Sequence, residues 1–453
     1  MHIEPQKIPV RVKIETYGCQ MNKNDSELVA GILSDAGFRF TSSLEDADIA
    51  IINTCSVRSH AEQRALGRLG VLSHWKRHGS HRQIIVLGCM AQNKKDRLFE
   101  SADIDLIVGP DGYRRLPDLI TGHHPVSWTD LNPEETYDGL RAYRAAGVSG
   151  WVTIMRGCNN FCSYCIVPYT RGRERSRPAD EIEAEIRTML EEGFRDITLL
   201  GQNVNSYHDG KTDFCALLKQ LSQIEDLPRL RFMTSHPRDC SSGLLKVMAD
   251  KPAVCPHLHL PFQSGSNRIL RKMNRKYTRE QYIQLISQAK NMIPDLAVTT
   301  DVMVGFPGES DQDFKDTLDL MTILRFDDAF MYHFSPRPGT AAVKYGDSLS
   351  MDEKLLRLNE VIALQKKITR DIKLSMIGKT VHVMPEETSK HSGQEWIGKT
   401  ANNHMVVFPK EQTHPGQLVP VRISECRGST LRGHVHPTDH FSSTLEKLKA
   451  AAI

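Results

Sequence analysis

No stretch of this sequence approaches the roughly 18 consecutive apolar residues that a membrane-spanning helix needs, so no membrane association is expected. The opening residues Met-His-Ile-Glu-Pro-Gln-Lys carry no apolar signal region, and a cytoplasmic protein is the expectation. Neither sign of charge is in excess. Against 55 acidic residues stand 58 basic ones, and a net +3 is too little to imply a nucleic-acid partner, so that case must rest on local patches. Cysteine is too sparse for a secreted disulfide scaffold, 10 in 453 residues, yet it is clustered, which points to metal ligation in a reducing compartment. Internal repeats are missing apart from a β/α alternation, and so is low-complexity sequence. With 40% hydrophobic and 25% charged residues the composition is globular, and the length suits two or three domains.

What is present begins with Cys158, Cys162 and Cys165, in the run Arg156-Gly157-Cys158-Asn159-Asn160-Phe161-Cys162-Ser163-Tyr164-Cys165. Three thiolates at this spacing can hold a four-iron cluster and leave its fourth iron open. An open, reducible iron can chelate the amino and carboxylate groups of S-adenosylmethionine and pass it an electron, cleaving the sulfonium to an adenosyl radical. The spacing, with an aromatic just before the last Cys, resembles the radical SAM superfamily. Zinc is the alternative, although tetrahedral zinc usually draws on paired CxxC or Cys/His ligands and no second half lies nearby.

Cys19, Cys55 and Cys89 recur in one kind of place. Each follows within about three residues a short Val/Ile-rich segment that reads as a buried strand: Arg11–Thr16, Ala47–Asn53 and Gln83–Gly88. Between them, Asn24–Gly37 and Arg58–Trp75 read as helices. Strand–helix alternation implies a parallel sheet whose carboxyl-end loops open on one edge, so the three thiols can converge on a second cluster. Any one alone would read as a packed core thiol.

Further along, Trp151–Met155, Asp196–Leu200, Leu230–Ser235, His257–Pro261, Ala297–Val304 and Ala329–Phe334 alternate with amphipathic helices such as Ala179–Gly193. Six β/α units make an open TIM-type barrel, in which function sits in the loops after the strands. Those loops are polar or Gly-rich, a ring of donors and acceptors suited to a zwitterionic, ribose-bearing ligand. Met351–Ile377 reads as a connecting helix. Beyond it come short strands, Thr380–Pro385, His404–Phe408, Gly416–Ser424 and Thr430–Gly433 among them, as in a five-stranded OB-like barrel that serves RNA or protein contact. Leu131–Gly147 is the expected interdomain linker, and the tail Pro437–Ile453 offers only Leu445 and Leu448 on a possible helical face.

This layout resembles the methylthiotransferase family of radical SAM enzymes. The resemblance covers roughly residues 10 to 437 and implies an α/β chain of three parts: an N-terminal parallel-sheet three-Cys domain over 10–135, a central partial (β/α)6 TIM-type radical SAM barrel over 147–372, and a C-terminal small β-barrel, the OB-like TRAM domain, over 373–437. Thr16-Tyr17-Gly18-Cys19-Gln20-Met21-Asn22, Met155-Arg156-Gly157-Cys158-Asn159-Asn160 and Val167-Pro168-Tyr169-Thr170-Arg171-Gly172-Arg173-Glu174-Arg175-Ser176-Arg177 are similar to the branch that methylthiolates C2 of isopentenylated adenosine at position 37 of tRNA. The branches acting on threonylcarbamoyladenosine tRNA or on ribosomal protein S12 carry different lead-ins to their cysteines. The resemblance implies two [4Fe-4S] clusters and S-adenosylmethionine as cofactors, with one cluster on Cys158, Cys162 and Cys165 and an auxiliary one, the sulfur carrier, on Cys19, Cys55 and Cys89. Implied partners are the tRNA anticodon stem-loop, an electron donor such as flavodoxin or ferredoxin, and a sulfur donor or iron-sulfur carrier. A non-catalytic RNA-binding zinc protein is the rival from another class.

Tyr164, Asn203, Ser235, Gln263, Ser264 and Asp301 are the expected contacts to S-adenosylmethionine; Tyr164 can equally be core, and Asp301 a helix cap or ion-pair partner. Arg171, Arg173, Arg175 and Arg177 after the cluster loop, and Arg268, Lys272 and Arg275 at helical spacing with Arg279, are the expected phosphate contacts.

Overall fold

Short runs of Ile and Val that are apolar on both faces become parallel strands, because helices cover both sides of such a sheet. The computed structural model describes residues 9–56, 59–122, 126–346 and 349–436; the tail with Leu445 and Leu448 lies outside them. The first unit runs β1 (Arg11–Tyr17), α1 (Gln20–Asp35), β2 (Arg39–Phe40), β3 (Ile49–Thr54), α2 (Ser59–Arg77), β4 (Gln83–Gly88), α3 (Cys89–Lys94), β5 (Leu106–Val108), α4 (Leu116–Thr121) and β6 (Val126–Trp128). The strands form one parallel sheet in the order β2-β1-β3-β4-β5-β6. Helix α1 starts four residues before the expected Asn24, directly after Cys19 as its N-cap. The polar first turn had hidden this start: Asn22 and Asn24 are buried there by tertiary contacts.

The barrel runs β7 (Ser149–Thr153), β8 (Met155–Arg156), α5 (Val167–Thr170), β9 (Arg175–Ser176), α6 (Ala179–Glu191), β10 (Asp196–Leu200), α7 (Phe214–Leu221), β11 (Arg229–Phe232), α8 (Ser242–Asp250), β12 (His257–His259), α9 (Asn267–Lys272), α10 (Arg279–Met292), β13 (Ala297–Val304), α11 (Asp311–Leu324) and β14 (Asp328–His333). Its parallel strands fall into two groups, β7-β10-β11 and β12-β13-β14, linked by a lone bridge between Leu230 and Val254. Pro256, just ahead of β12, has no N–H to extend the ladder. One face of each strand packs under the helices, as Val152, Ile197, Leu199, Phe232, Val298 and Val302 do against Ile182, Ile186, Leu217 and Ile286. The alternate residues, including Trp151, Arg231, His257, His259, Thr299 and Asp301, therefore face the barrel interior.

The connecting helix α12 (Met351–Leu374) opens with a capping box between Ser350 and Glu353. It leads to β15 (Thr380–Thr388), β16 (Glu395–Thr400), β17 (Met405–Pro409), β18 (Val419–Arg427) and β19 (Thr430–Val435), closed as β15-β16-β17-β19-β18 around Val383, Val406, Phe408, Val419, Val421 and Leu431. The strand expected from Gly416 begins only at Val419, since Gly416 turns with φ +82°. Interior residues of the large barrel anchor the small one. Arg231 donates to the carbonyls of Ala401 (2.7 Å) and Thr400 (2.8 Å) and to Asp196 (2.8 Å), and Arg229 donates to those of Lys399 (2.6 Å) and His382 (3.1 Å).

Leu131–Gly147 joins the first two units, but as a packed strap rather than a solvated tether. Tyr137, 1% exposed, stacks on Tyr113 and lies beneath the Arg156 guanidinium, 3.5 Å from the ring centroid. Arg156 is paired with Asp111 at 2.8 Å, both side chains being fully buried, and Arg175 reaches the same carboxylate at 3.0 Å. Removing one partner of such a pair strands a charge away from water. Asp111→Ala strands two, so a loss of about 3–5 kcal/mol is expected in urea unfolding; a change under about 1 kcal/mol would mean that water reaches the pair.

Candidate active site

Strand register brings the first three cysteines together. Tyr17 pairs with Thr54 and Thr54 with Gly88, so Cys19, Cys55 and Cys89 leave adjacent strands at one level. Close packing there explains two glycines. A Cβ on Gly18 would stand 2.6 Å from Asn22 Oδ1 and 2.9 Å from Cys55 Cβ, and Gly88, at φ +90°, backs onto Asn53 Oδ1. Asn22 and Asn53, both fully buried, bond each other beneath the thiols (3.1 and 2.9 Å), and Asn22 Oδ1 accepts from Cys19 Sγ at 3.3 Å. Cys55 hydrogen-bonds the Cys19 sulfur and, with the Arg171 charge acting against burial, brings its pKa down to about 6, whereas burial pushes Cys89 up.

The second triplet follows β8. Gly157, at φ +75°, turns the chain where any Cβ would strike the Arg173 carbonyl, and Cys158 N–H bonds the Gly172 carbonyl at 3.1 Å. Burial pushes Cys158 up to about 11 and Cys165 up to about 12. Arg275 is buried beside them and donates to Cys162 Sγ (3.4 Å), the Pro261 carbonyl (2.8 Å) and the Tyr277 hydroxyl (3.0 Å). Arg171 plays the matching part at the other triplet, with Nε 3.2 Å from Cys89 Sγ. Buried cations need anionic company. Thiolates bearing an anionic iron–sulfur cluster would supply it at both places, so the donor sets fit. Among the described residues no three His, Cys, Asp or Glu side chains form a group that could hold a metal ion; a four-iron cube spreads its thiolates wider than one tetrahedral zinc does.

Around the barrel triplet lie the expected contacts to S-adenosylmethionine. Asn203 is fully buried, its Nδ2 on Asp239 (2.7 Å) and its Oδ1 without a partner; the buried Ser235 Oγ is likewise unpaired. Buried polar atoms left unsatisfied are costly unless a ligand completes them. Gln202 Oε1 and Asn160 Nδ2 share that condition and were not singled out in the sequence. Thr234 (φ +70°) and Gln263 (φ +66°) hold the strained backbone that collects at binding sites. Gln263 N–H bonds the Asp301 carbonyl at 2.9 Å, and the buried Ser264 Oγ accepts from Ser266 N–H at 3.3 Å. The Asp301 carboxylate, a quarter exposed, lies 3.5 Å from His259 Nε2. Tyr164 sits edge-on to Phe306, against a small apolar cluster. His236 ties the loops to the triplet: it exchanges bonds of 2.9 Å with Asn205 and meets Tyr277 edge to face. Burial, with the Arg275 charge, brings its pKa down to about 2, so the ring is neutral at working pH.

Most of the expected phosphate contacts are not available to phosphate. Arg171, Arg177 and Arg275 are buried, with Arg171 on Asp25 and Arg177 on Glu185, and the Arg175 side chain is 7% exposed and bound to Asp111. Arg268 is exposed but paired with Asp313. The shared helical face does not form, because α9 ends at Lys272 and the next helix starts at Arg279, with Asn274 at φ +59° between them. Arg173 and Lys272 remain exposed on the rim, Arg173 over the Phe161 ring and Lys272 accepting at its carbonyl from Ser163 Oγ, 2.8 Å.

Residues 11–109 match the family described as uncharacterized protein family UPF0004, 152–321 the Radical SAM superfamily and 374–436 the TRAM domain. The chain is 46% identical over 432 residues to a tRNA-2-methylthio-N(6)-dimethylallyladenosine synthase of Bacteroides fragilis, covering 93% of this chain and 94% of that one. The enzyme of the same name from Chloroherpeton thalassium is 45% identical, covering 94% and 96%. The chain belongs to the tRNA-2-methylthio-N6-dimethylallyladenosine synthase family. Members of this radical SAM family use S-adenosylmethionine and two [4Fe-4S] clusters. In fold, the chain is also similar to the radical S-adenosylmethionine methyltransferase TsrM from Kitasatospora setae, at TM-score 0.58 and 14% identity over 74% of this chain and 77% of that one.

Thiolates, not thiols, react with iodoacetamide. In the apoprotein at pH 7.5, Cys19, with its pKa near 6, is expected to label well before Cys158 and Cys165, which label only as pH rises past about 10. Residue-resolved mass spectrometry reads this; Cys165 labelling as fast as Cys19 at pH 7.5 would contradict it.

Proposed function

We propose that this chain is a radical SAM methylthiotransferase that replaces the hydrogen at C2 of N6-isopentenyladenosine at position 37 of tRNA with a methylthio group. The observation that carries the reading is the buried contact of Arg171, from the segment after the barrel triplet, with Cys89 of the N-terminal triplet, in a chain 46% identical over nearly its whole length to synthases of that name. An aromatic C–H bond at adenine C2 is neither acidic nor electrophilic enough for acid–base or nucleophilic chemistry, so the reaction needs a radical route. The barrel cluster and one S-adenosylmethionine would supply the radical that removes the C2 hydrogen, a second S-adenosylmethionine would supply the methyl group, and the auxiliary cluster would carry the sulfur. Cys158, Cys162 and Cys165 would hold the first cluster, and Cys19, Cys55 and Cys89 the second.

The unpaired Asn203 Oδ1 and Ser235 Oγ would bind S-adenosylmethionine, with Gln263, Ser264 and Asp301 beside them and the Tyr164 ring nearby. Arg173 and Lys272, with exposed Arg271 and Lys276, would meet the phosphates of an anticodon loop whose target base is unpaired and turned inward. The TRAM barrel adds an RNA-binding architecture. The enzyme would act in the cytoplasm with a flavodoxin- or ferredoxin-type electron donor and a sulfur donor or iron–sulfur carrier.

Anaerobic reconstitution should give about eight irons per chain, falling to about four when Cys158, Cys162 and Cys165 are all changed to Ala and to about four when Cys19, Cys55 and Cys89 are. Isopentenylated tRNA should then be methylthiolated by the wild type alone; turnover of threonylcarbamoylated tRNA or ribosomal protein S12 instead would move the chain to another branch, and zinc in place of iron would end the reading. Ser235→Ala should weaken S-adenosylmethionine about tenfold in equilibrium dialysis, a loss of about 1.4 kcal/mol; unchanged affinity would remove Ser235 from the site.

A further inference from the structure

The Arg171 guanidinium reaches from the segment after the barrel triplet to the N-terminal triplet. It is 2% exposed; Nε donates to Cys89 Sγ at 3.2 Å and Nη2 to Asp25 Oδ2 at 2.5 Å. Asp25, fully buried on α1, also accepts the Tyr113 hydroxyl at 3.4 Å. Arg171 closes α5, the short helix after Cys165, whereas Asp25 and Cys89 belong to the N-terminal unit. One side chain thus ties a sulfur of the auxiliary triplet to the segment that carries the barrel triplet. Arg275, its counterpart at Cys162, keeps different company: a carbonyl, a phenol and the sulfur, with no carboxylate paired to it among the described residues.

An iron–sulfur cluster on three thiolates is anionic and gains a further negative charge on one-electron reduction. N–H donors to its sulfurs and nearby positive charge favour the reduced form, and a nearby carboxylate opposes it. In a dry interface neither influence is well screened.

We propose that Arg171 and Asp25 are a positioning pair for the auxiliary cluster, Arg171 fixing the Cys89 sulfur against the barrel and favouring the reduced form, Asp25 offsetting the guanidinium charge so that this cluster stays harder to reduce than one beside an uncompensated arginine. The pair thereby directs an incoming electron toward the barrel cluster, where Arg275 has no such offset. The inference rests on the two-cluster reading above and would give Arg171 a task unrelated to phosphate.

The test uses full-length protein with Cys158, Cys162 and Cys165 changed to Ala, leaving the auxiliary cluster as the one reporter, titrated with dithionite under electron paramagnetic resonance. Asp25→Asn, which keeps the shape and removes the charge, should shift the midpoint to higher potential. Arg171→Met should shift it lower, and Arg171→Lys, which can reach the sulfur but not also span Asp25, should fall between Arg171→Met and the parent. Opposite shifts are what a merely structural role would not produce. Shifts of one sign, or none with the cluster intact, overturn the proposal; should Arg171→Met lose its iron, the signs of Asp25→Asn and Arg171→Lys decide. Iron analysis of the parent comes first, because a parent without iron refutes the two-cluster reading itself, whereas a loaded parent with unmoved potentials refutes only the role of the pair. Apoprotein melting supplies a cluster-independent readout: Arg171→Met should lower the transition and Arg171→Lys should recover part of it.

Discussion

The contact on which the remaining structure depends is the buried seam between the N-terminal sheet and the barrel, where arginines from the barrel side meet carboxylates from the sheet side with hardly any of either exposed. Arg156 and Arg175 share Asp111, and Arg171 is held by Asp25. Ion pairs of this kind contribute little as glue, since desolvation consumes most of their attraction, but they punish misalignment severely. They therefore act less as a source of stability than as a register. Arg171 reaches Cys89 from the barrel side only while these guanidiniums are in place, and the strap around Tyr137 packs against the same seam.

The sequence made the scaffold easy to read and its side-chain directions hard. Alternation of Ile/Val runs with amphipathic segments is a local property, so both parallel units could be recognised without a partner strand in view, and cysteines one or two residues beyond strand ends were informative because parallel register levels those ends. The arginines misled for an equally physical reason. Spacing of two from Arg171 to Arg177 imitates one face of a strand, yet Gly172 at φ +74° breaks the parity, turning Arg173 outward while its neighbours go in. Spacing from Arg268 to Arg279 imitates a helical stripe that the turn at Asn274 interrupts. Charge pattern specifies a face only where the backbone is regular.

The mouth of the barrel shows what a preformed site costs the fold that holds it. Thr234 and Gln263 occupy left-handed backbone, and Asn203 and Ser235 keep oxygens buried and unpaired, departures that the well-satisfied core around them can tolerate. These are also the features least visible in a sequence, since neither a backbone angle nor a missing partner leaves any compositional mark.

At the opposite end, the carbonyls of Lys399, Thr400, Ala401 and His382 are clasped by Arg229 and Arg231 from the barrel floor. A domain clasped by the interior of another is held by those bonds in one orientation to it. Nucleic acid gripped by the small barrel would be held at a constant offset from the cysteine-lined mouth, so reach along an RNA would be set by the rigid body, like the jaw of a calliper, and an arm of the wrong length would present the wrong nucleotide.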